Sequence, residues 1–190
     1  QWTGLTDVEL TEKGRAEARA AGQTLEGITF GAAHTSNLKR AQDTLAEILA
    51  ELKQTELEAK KSTALNERDY GILTGKNKWQ AKEEYGDEQF TKWRRGWNEP
   101  IPEGETLKDV HDRAVPYYEE HILADLKAGK NVIVAAHGNT LRALVKHIED
   151  IAENDIPSLE IGTGEVYLYE INEATGQVIA KEIKVAGGKA

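Results

Sequence analysis

Apolar residues along this chain change their spacing several times, and each change marks an element. Ala18, Ala21 and Leu25 recur at helical spacing behind Thr11, whose hydroxyl suits an N-cap, so a helix is predicted over 12–26. The apolar run 28–34, ITFGAAH, reads as a buried strand, with capping chemistry from Thr35 and Ser36 after it. Leu38, Ala41, Leu45, Ile48 and Leu52 then trace one stripe, which predicts a helix over 37–53. Residues 56–65 are a weaker strand candidate, and 66–78, NERDYGILTGKNK, reads as a structured loop. Two short helices are expected over 77–85 and 87–97, followed by a turn-rich connector, NEPIPEGE.

A long helix is predicted over 105–128 from the stripe Leu107, Val110, Ala114, Tyr117 or Tyr118, Ile122 and Leu126. Pro116 lies inside it and should kink or break it, and Gly129 ends it. NVIVAA, 131–136, is the clearest strand, apolar on both faces as in a parallel sheet covered by helices. A helix over 139–150 and a hairpin of 165–172 with 177–184 complete the pattern, and the tail VAGGKA reads as mobile. Strands alternating with helices mean α/β architecture.

Composition narrows the function. The 190 residues suit one domain and can bury a real core. No apolar run reaches the roughly 20 residues of a membrane helix, and no signal peptide is recognisable. Cysteine is absent, which excludes disulfides and thiolate chemistry and makes the cytoplasm the default expectation. The formal net charge of -9 repels nucleic acid and anionic membranes, so an anionic substrate needs a local cation cluster. Methionine is absent and the first residue is Gln1, from which an N-terminal segment before Gln1 is expected.

Four constellations carry chemistry. In VIVAAHGNTLRAL, His137 stands at the carboxyl edge of a buried strand, with Gly138 and Asn139 opening a helix whose free N–H groups suit an anion. A bare His-Gly fills a strand–helix turn about as often. In HTSNLKRAQDT, Arg40 falls in a first helical turn at the same edge, a fork suited to phosphate, although alone it reads more readily as a solvated surface arginine. In ALNERDYG, Glu67 sits in a loop, where a phosphate nearby would raise its pKa and let it shuttle protons; the bland alternative is a weak surface pair with Arg68. In TKWRRGW, Arg94 and Arg95 between tryptophans could clamp a small polyanion; a nucleic-acid face is disfavoured by the net charge. His34, His111, His121 and His147 have no metal-ligand spacing and are expected to pack or to sit on helix surfaces.

Taken together, TGLTDVELTEKG, TSNLKRAQDT, LNERDYGILTGKNK, YGDEQFTKWRRGW and NVIVAAHGNTLRALVKH resemble, in order, the histidine phosphatase superfamily, and within it the cofactor-dependent phosphoglycerate mutases. EIGTGEVYLYEI is similar to the family's last strand. The resemblance implies a three-layer α/β/α fold around a mostly parallel sheet, in one domain over 1–190, with a small helical insert at about 76–104. It implies interconversion of 3-phosphoglycerate and 2-phosphoglycerate in glycolysis and gluconeogenesis through a phosphohistidine, primed by 2,3-bisphosphoglycerate and without metal. Arginines and a protonated histidine would take the place of magnesium.

Carried over by residue, His137 would stabilise the transferring phosphoryl group, Glu67 would be the acid/base, and Arg40 would bind the transferred phosphate. Arg68, Tyr70, Lys78, Arg94 and Arg95 would bind the substrate's carboxylate and second phosphate. Thr3 and Gly4 would close over the ligand, and Gly138 and Asn139 would form the adjoining turn. Partners would be small phosphoglycerates, with no nucleic acid or membrane; family members often form dimers, so a homodimer is a further expectation.

The family's nucleophile lies in an Arg-His-Gly at the end of its first strand, and no Arg-His-Gly occurs between Gln1 and Ala190. That motif is expected before Gln1, on a strand central to the sheet, and the present chain alone is expected to be inactive with a gap in its core. Two other readings stand beside the mutase: a phosphatase on the same fold, and a phosphate-binding protein without a nucleophile.

Overall fold

A computed structural model describes residues 1–185. Its centre is a parallel sheet of β1 (Ala32–Thr35), β2 (Ala59–Lys61) and β3 (Val132–Ala135), in the order β2-β1-β3. Ala33 stands beside Ala59 on one side and Ile133 on the other. Successive β3 residues point to opposite faces. Ile133 and Ala135 pack against α1 (Glu12–Thr24) and α2 (Lys39–Glu51) through Ala18, Ala21, Leu45 and Ile48. Val132 and Val134 pack on the other side against Ala114 and Tyr117 of α5 (Leu107–Tyr117) and Leu144 of α7 (Gly138–Glu149). The three layers follow from β3 being apolar on both faces.

The local chemistry explains most boundaries. Thr11 caps α1 by accepting from Gly14 N–H, and Thr106 forms a capping box with Asp109 at the start of α5. The strand expected at 28–34 begins only at Ala32. The amides of Gly31 and Ala32 both reach the Asn131 carbonyl, and Phe30 N–H is taken by the Gln54 side chain, so 28–31 approach the sheet without joining its ladder. The long helix over 105–128 is divided. Pro116 has no N–H for the preceding turn, and the chain widens at once into a π-turn, Tyr118–Ile122, before α6 (Leu123–Lys127). A 3₁₀ segment, Glu153–Ser158, was not foreseen.

The insert is α3 (Lys78–Tyr85) and α4 (Asp87–Arg95). An aromatic nucleus of Trp2, Phe90 and Trp93, with Leu73 and Ile101, fixes it to the N-terminal loop. The Trp2 and Phe90 rings lie 5.4 Å apart, in the range where aromatic pairs add roughly 0.5–1.5 kcal/mol beyond area burial. Beneath it, Gly71 (φ 52°) lets two loops cross; a Cβ there would lie 2.1 Å from the Pro102 carbonyl oxygen.

β4 (Glu165–Ile171) and β5 (Val178–Val185) form a separate antiparallel ribbon, matching the expected hairpin. Between the edge of β3, which pairs with no further strand among the described residues, and this ribbon runs an apolar cleft of about 670 Å³, lined by Ile133, Ala135, Val166, Leu168, Ala18 and Ile122 among others. No helix among the described residues is long and apolar enough to cross a membrane. The tail at 186–190, expected to be mobile, lies outside the described residues.

Candidate active site

β1 and β3 are parallel neighbours, so the residues that follow them leave the sheet at one edge. Ser36 follows β1 and His137 follows β3, and Ser36 Oγ lies 2.7 Å from His137 Nε2, both side chains buried. His137 occupies the N-cap of α7 without capping it by its side chain. A Cβ on Gly138, the first helical residue, would meet nothing within 4 Å, and the N–H groups of a helix start are suited to an anion. Burial, and then the charges of Arg40 and Arg113, push the His137 pKa down to about 3. The imidazole is therefore neutral at pH 7. The counter-charge of an arriving phosphate would favour its cation, the form expected for a clamp on the phosphoryl group.

Glu67 is 9% exposed. Its Oε1 accepts from the Arg68 N–H at 2.8 Å. Burial raises its pKa above the usual carboxylate range, while the bonds from the Arg68 and Asn139 amides and the charges of Arg40 and Arg68 oppose the rise. A carboxyl held this way can keep its proton at a pH where a surface glutamate has lost it. Asn139 donates through Nδ2 to the Tyr70 hydroxyl at 2.8 Å, and burial raises the Tyr70 pKa, so the phenol is a neutral hydrogen-bonding group.

The cations fall into two sets. Arg40 donates to the carbonyls of Gly4 (2.8 Å) and Thr6 (2.9 Å), tying the N-terminal loop over the sheet edge. Gly4 needs its lack of a side chain, since φ is 50° and a Cβ would lie 3.2 Å from both the Arg68 carbonyl oxygen and the Tyr70 ring. Thr3 lies beside it, half-buried. Lys78, at the start of α3, has its pKa lowered by partial desolvation and by the Arg94 charge, with Glu67 opposing. Arg94 is exposed, and Arg95 is ion-paired to Glu160 at 3.1 Å.

Arg68 departs from its expected place as a substrate ligand. It is 1% exposed, and its guanidinium donates to the carbonyls of Glu105 (2.6 Å), Trp93 (2.7 Å) and Glu99 (3.4 Å). It is a strut under the insert, because a guanidinium this deep must spend its donors on the protein.

Three residues of the site were missed. Ser36 was read only as a cap, yet it touches His137. Arg113 donates to the carbonyls of Ala64, Asn66 and Glu67 and pairs with Glu105, which in turn accepts from the Asp69 N–H. Arg142 binds five acceptors from α7. For both arginines the available signal was a charge among apolar helix positions, which a stripe reading discards. Among the described residues no group of three or more His, Cys, Asp or Glu side chains is placed to hold a metal.

This arrangement places a buried histidine and a buried glutamate of raised pKa among arginines at a parallel-sheet edge. The profile of the histidine phosphatase superfamily (branch 1) matches residues 1–183. The chain belongs to this superfamily. Among curated members, a 2,3-bisphosphoglycerate-dependent phosphoglycerate mutase of Bradyrhizobium diazoefficiens is 46% identical over 98% of this chain and 90% of its own length. One of Methylorubrum populi is 49% identical over 92% of this chain and 83% of its own. Among solved structures, a mycobacterial glucosyl-3-phosphoglycerate phosphatase superposes with a TM-score of 0.79 at 23% identity, covering 100% of this chain and 93% of that one, a likeness of fold.

Proposed function

We propose that this superfamily member interconverts 3-phosphoglycerate and 2-phosphoglycerate, with 2,3-bisphosphoglycerate as primer, in cytoplasmic glycolysis and gluconeogenesis. The observation that carries the reading is that a buried glutamate whose pKa is raised, Glu67, and a buried histidine at the N-terminus of α7, His137, both lie close enough to Arg40 to feel its charge. The identity to curated mutases of that name supports it.

Each residue has a task. Ionised Glu67 takes the proton of the attacking substrate hydroxyl and, once protonated, returns it to the leaving one; a raised pKa makes the carboxylate a stronger base for the first step. His137 and the α7 N–H groups meet the negative charge of the transferring phosphoryl group. Arg40 lies close enough to lower the His137 pKa, so it adds a permanent positive charge there. Lys78, Arg94 and Arg95 hold the carboxylate and the non-reacting phosphate, and Tyr70 and Asn139 orient the substrate between them. Such a cation group in a chain of charge -9 fits a small ligand bearing several negative charges. 2,3-Bisphosphoglycerate, when bound, supplies the phosphoryl group that primes the nucleophile. The chemistry needs no metal, and the partners are small phosphoglycerates.

The nucleophile belongs, in this reading, to a histidine on a strand seated in the cleft between β3 and β4. The cleft supports this by its shape: on each side a strand edge without a partner among the described residues, and apolar side chains lining both. The test is to purify the natural protein, weigh it intact, and assay isomerisation of 3-phosphoglycerate with catalytic 2,3-bisphosphoglycerate. A longer chain with isomerase activity and an acid-labile phosphohistidine is expected. A natural chain beginning at Gln1 that binds phosphoglycerate without turnover would overturn the enzyme reading and favour a phosphate-binding protein. Phosphate release outpacing isomerisation would favour a phosphatase, the second reading, which the fold also accommodates.

A further inference from the structure

Arg142 lies on α7, one turn beyond Asn139, and is 6% exposed. Its guanidinium reaches three separate segments. It donates to the carbonyls of Arg95 (2.9 Å) and Arg94 (3.5 Å), the last two residues of α4. It donates to the carbonyls of Ile156 (3.0 Å) and Leu159 (2.9 Å), at the end of the 3₁₀ segment. It also donates to Asn139 Oδ1 at 3.2 Å. No carboxylate is among these partners. The charge is met by carbonyl oxygens, including those at the negative end of α4, whose side chains form the outer cation pair. Asn139 in turn donates to Tyr70 and shares the α7 first turn with His137. Leu159 precedes Glu160, the ion partner of Arg95. One side chain thus joins the helix that presents His137 to the helix end that presents Arg94 and Arg95.

We infer that Arg142 is a positioning residue that sets the distance between the phosphoryl-transfer centre and the arginine pair, and so decides whether a phosphate ester carrying a second anionic group is held in register. It acts through Asn139 and the α4 terminus without touching substrate itself. This rests on the proposed site but concerns its selectivity, so the two can fail separately. A neutral side chain at 142 would take the guanidinium away from four carbonyls and release the α4 end, yet leave Glu67, His137 and Arg40 in place.

The experiment compares the natural protein with Arg142→Gln and Arg142→Lys. Three quantities are measured: KM and kcat for 3-phosphoglycerate, kcat/KM for p-nitrophenyl phosphate, and calorimetric affinity for inorganic phosphate against 3-phosphoglycerate. For Arg142→Gln, KM for phosphoglycerate should rise about tenfold with kcat within about threefold, while handling of p-nitrophenyl phosphate and phosphate affinity stay near wild type. Arg142→Lys keeps the charge but not the planar fork. It should shift the same ratio in the same direction, by less, and serves as the reporter if the Gln variant does not fold. Parallel losses on both substrates, or a lowered melting temperature with the ratio unmoved, would make Arg142 a stability element only and overturn the inference. If the wild type does not isomerise, the mutase reading fails, and the two calorimetric affinities still decide the role of Arg142.

Discussion

The floor and the rim of the site obey different electrostatics. On the floor, Glu67 and His137 are nearly out of contact with water, and burial is the largest influence on both, raising the acid's pKa and lowering the base's. Both are driven toward their neutral forms. On the rim, Arg94 is open to solvent and Arg95 sits in a partly exposed ion pair. The floor can move protons because it is dry; the rim can attract anions because its charges are permanent. Losses on the floor should therefore appear in turnover, and losses on the rim in binding.

The sharpest test of that division is Glu67→Gln in the turnover-competent protein. It should lower kcat by about 10²- to 10⁴-fold with phosphoglycerate binding retained. The wild-type rate should fall on the acid side at a pH above the ordinary glutamate range, and that limb should vanish in the variant, as stopped-time isomerase assays over pH would read. Unchanged kcat would remove Glu67 from the chemistry. Arg94→Ala is the matching test on the rim: a rise in KM of about tenfold with little change in kcat, measured by initial rates at varied salt. A kcat effect larger than the KM effect would erase the distinction between the two regions.

How much of this was readable beforehand depended on what the signal was made of. β3 and the His137 that follows it were legible because a strand buried on both faces must be apolar throughout, so the first polar residues after it mark where the chain leaves the sheet. The first strand was misplaced because Ile28 and Phe30 are apolar for packing, whereas their amides are diverted from the ladder. Arg68 was misread because a sequence does not say which way a guanidinium points; its acceptors lie 25 to 37 residues away. The protonation of His137 was out of reach for the same reason, being set by burial and by two distant arginines.

Two smaller effects refine the comparison. Ser36→Ala removes the only side chain seen hydrogen-bonded to the His137 ring among the described residues and should cost about fivefold in turnover, the scale of one hydrogen bond of roughly 1 kcal/mol. A slow-step assay at saturating substrate checks it; no change would free His137 from that contact. The smallest is a stability effect. The unfolded chain takes up a proton on His137 near pH 6.5, whereas the folded chain resists until about pH 3. Stability from this group is therefore fully present above pH 6.5 and is lost progressively as pH falls toward 3. His137→Gln should flatten the fall in melting temperature between pH 7 and pH 5; an unaltered slope would mean that the imidazole is not dry.

The pairing of β1 with β3 has a consequence for how the chain is made. Thr35 and Ala135, which lie side by side and share a hydrogen bond, are 100 residues apart. Closing so long a loop costs entropy before any contact returns it, and sheets with such separations fold slowly. During synthesis, β1 and β2 emerge long before β3, so the edge that β3 will cover stays open while the intervening hundred residues are added. Ser36 and His137 meet only when β3 docks. The catalytic floor is thus among the last parts of the molecule to exist, and a chain halted before residue 137 would hold α1, α2 and the insert without any site.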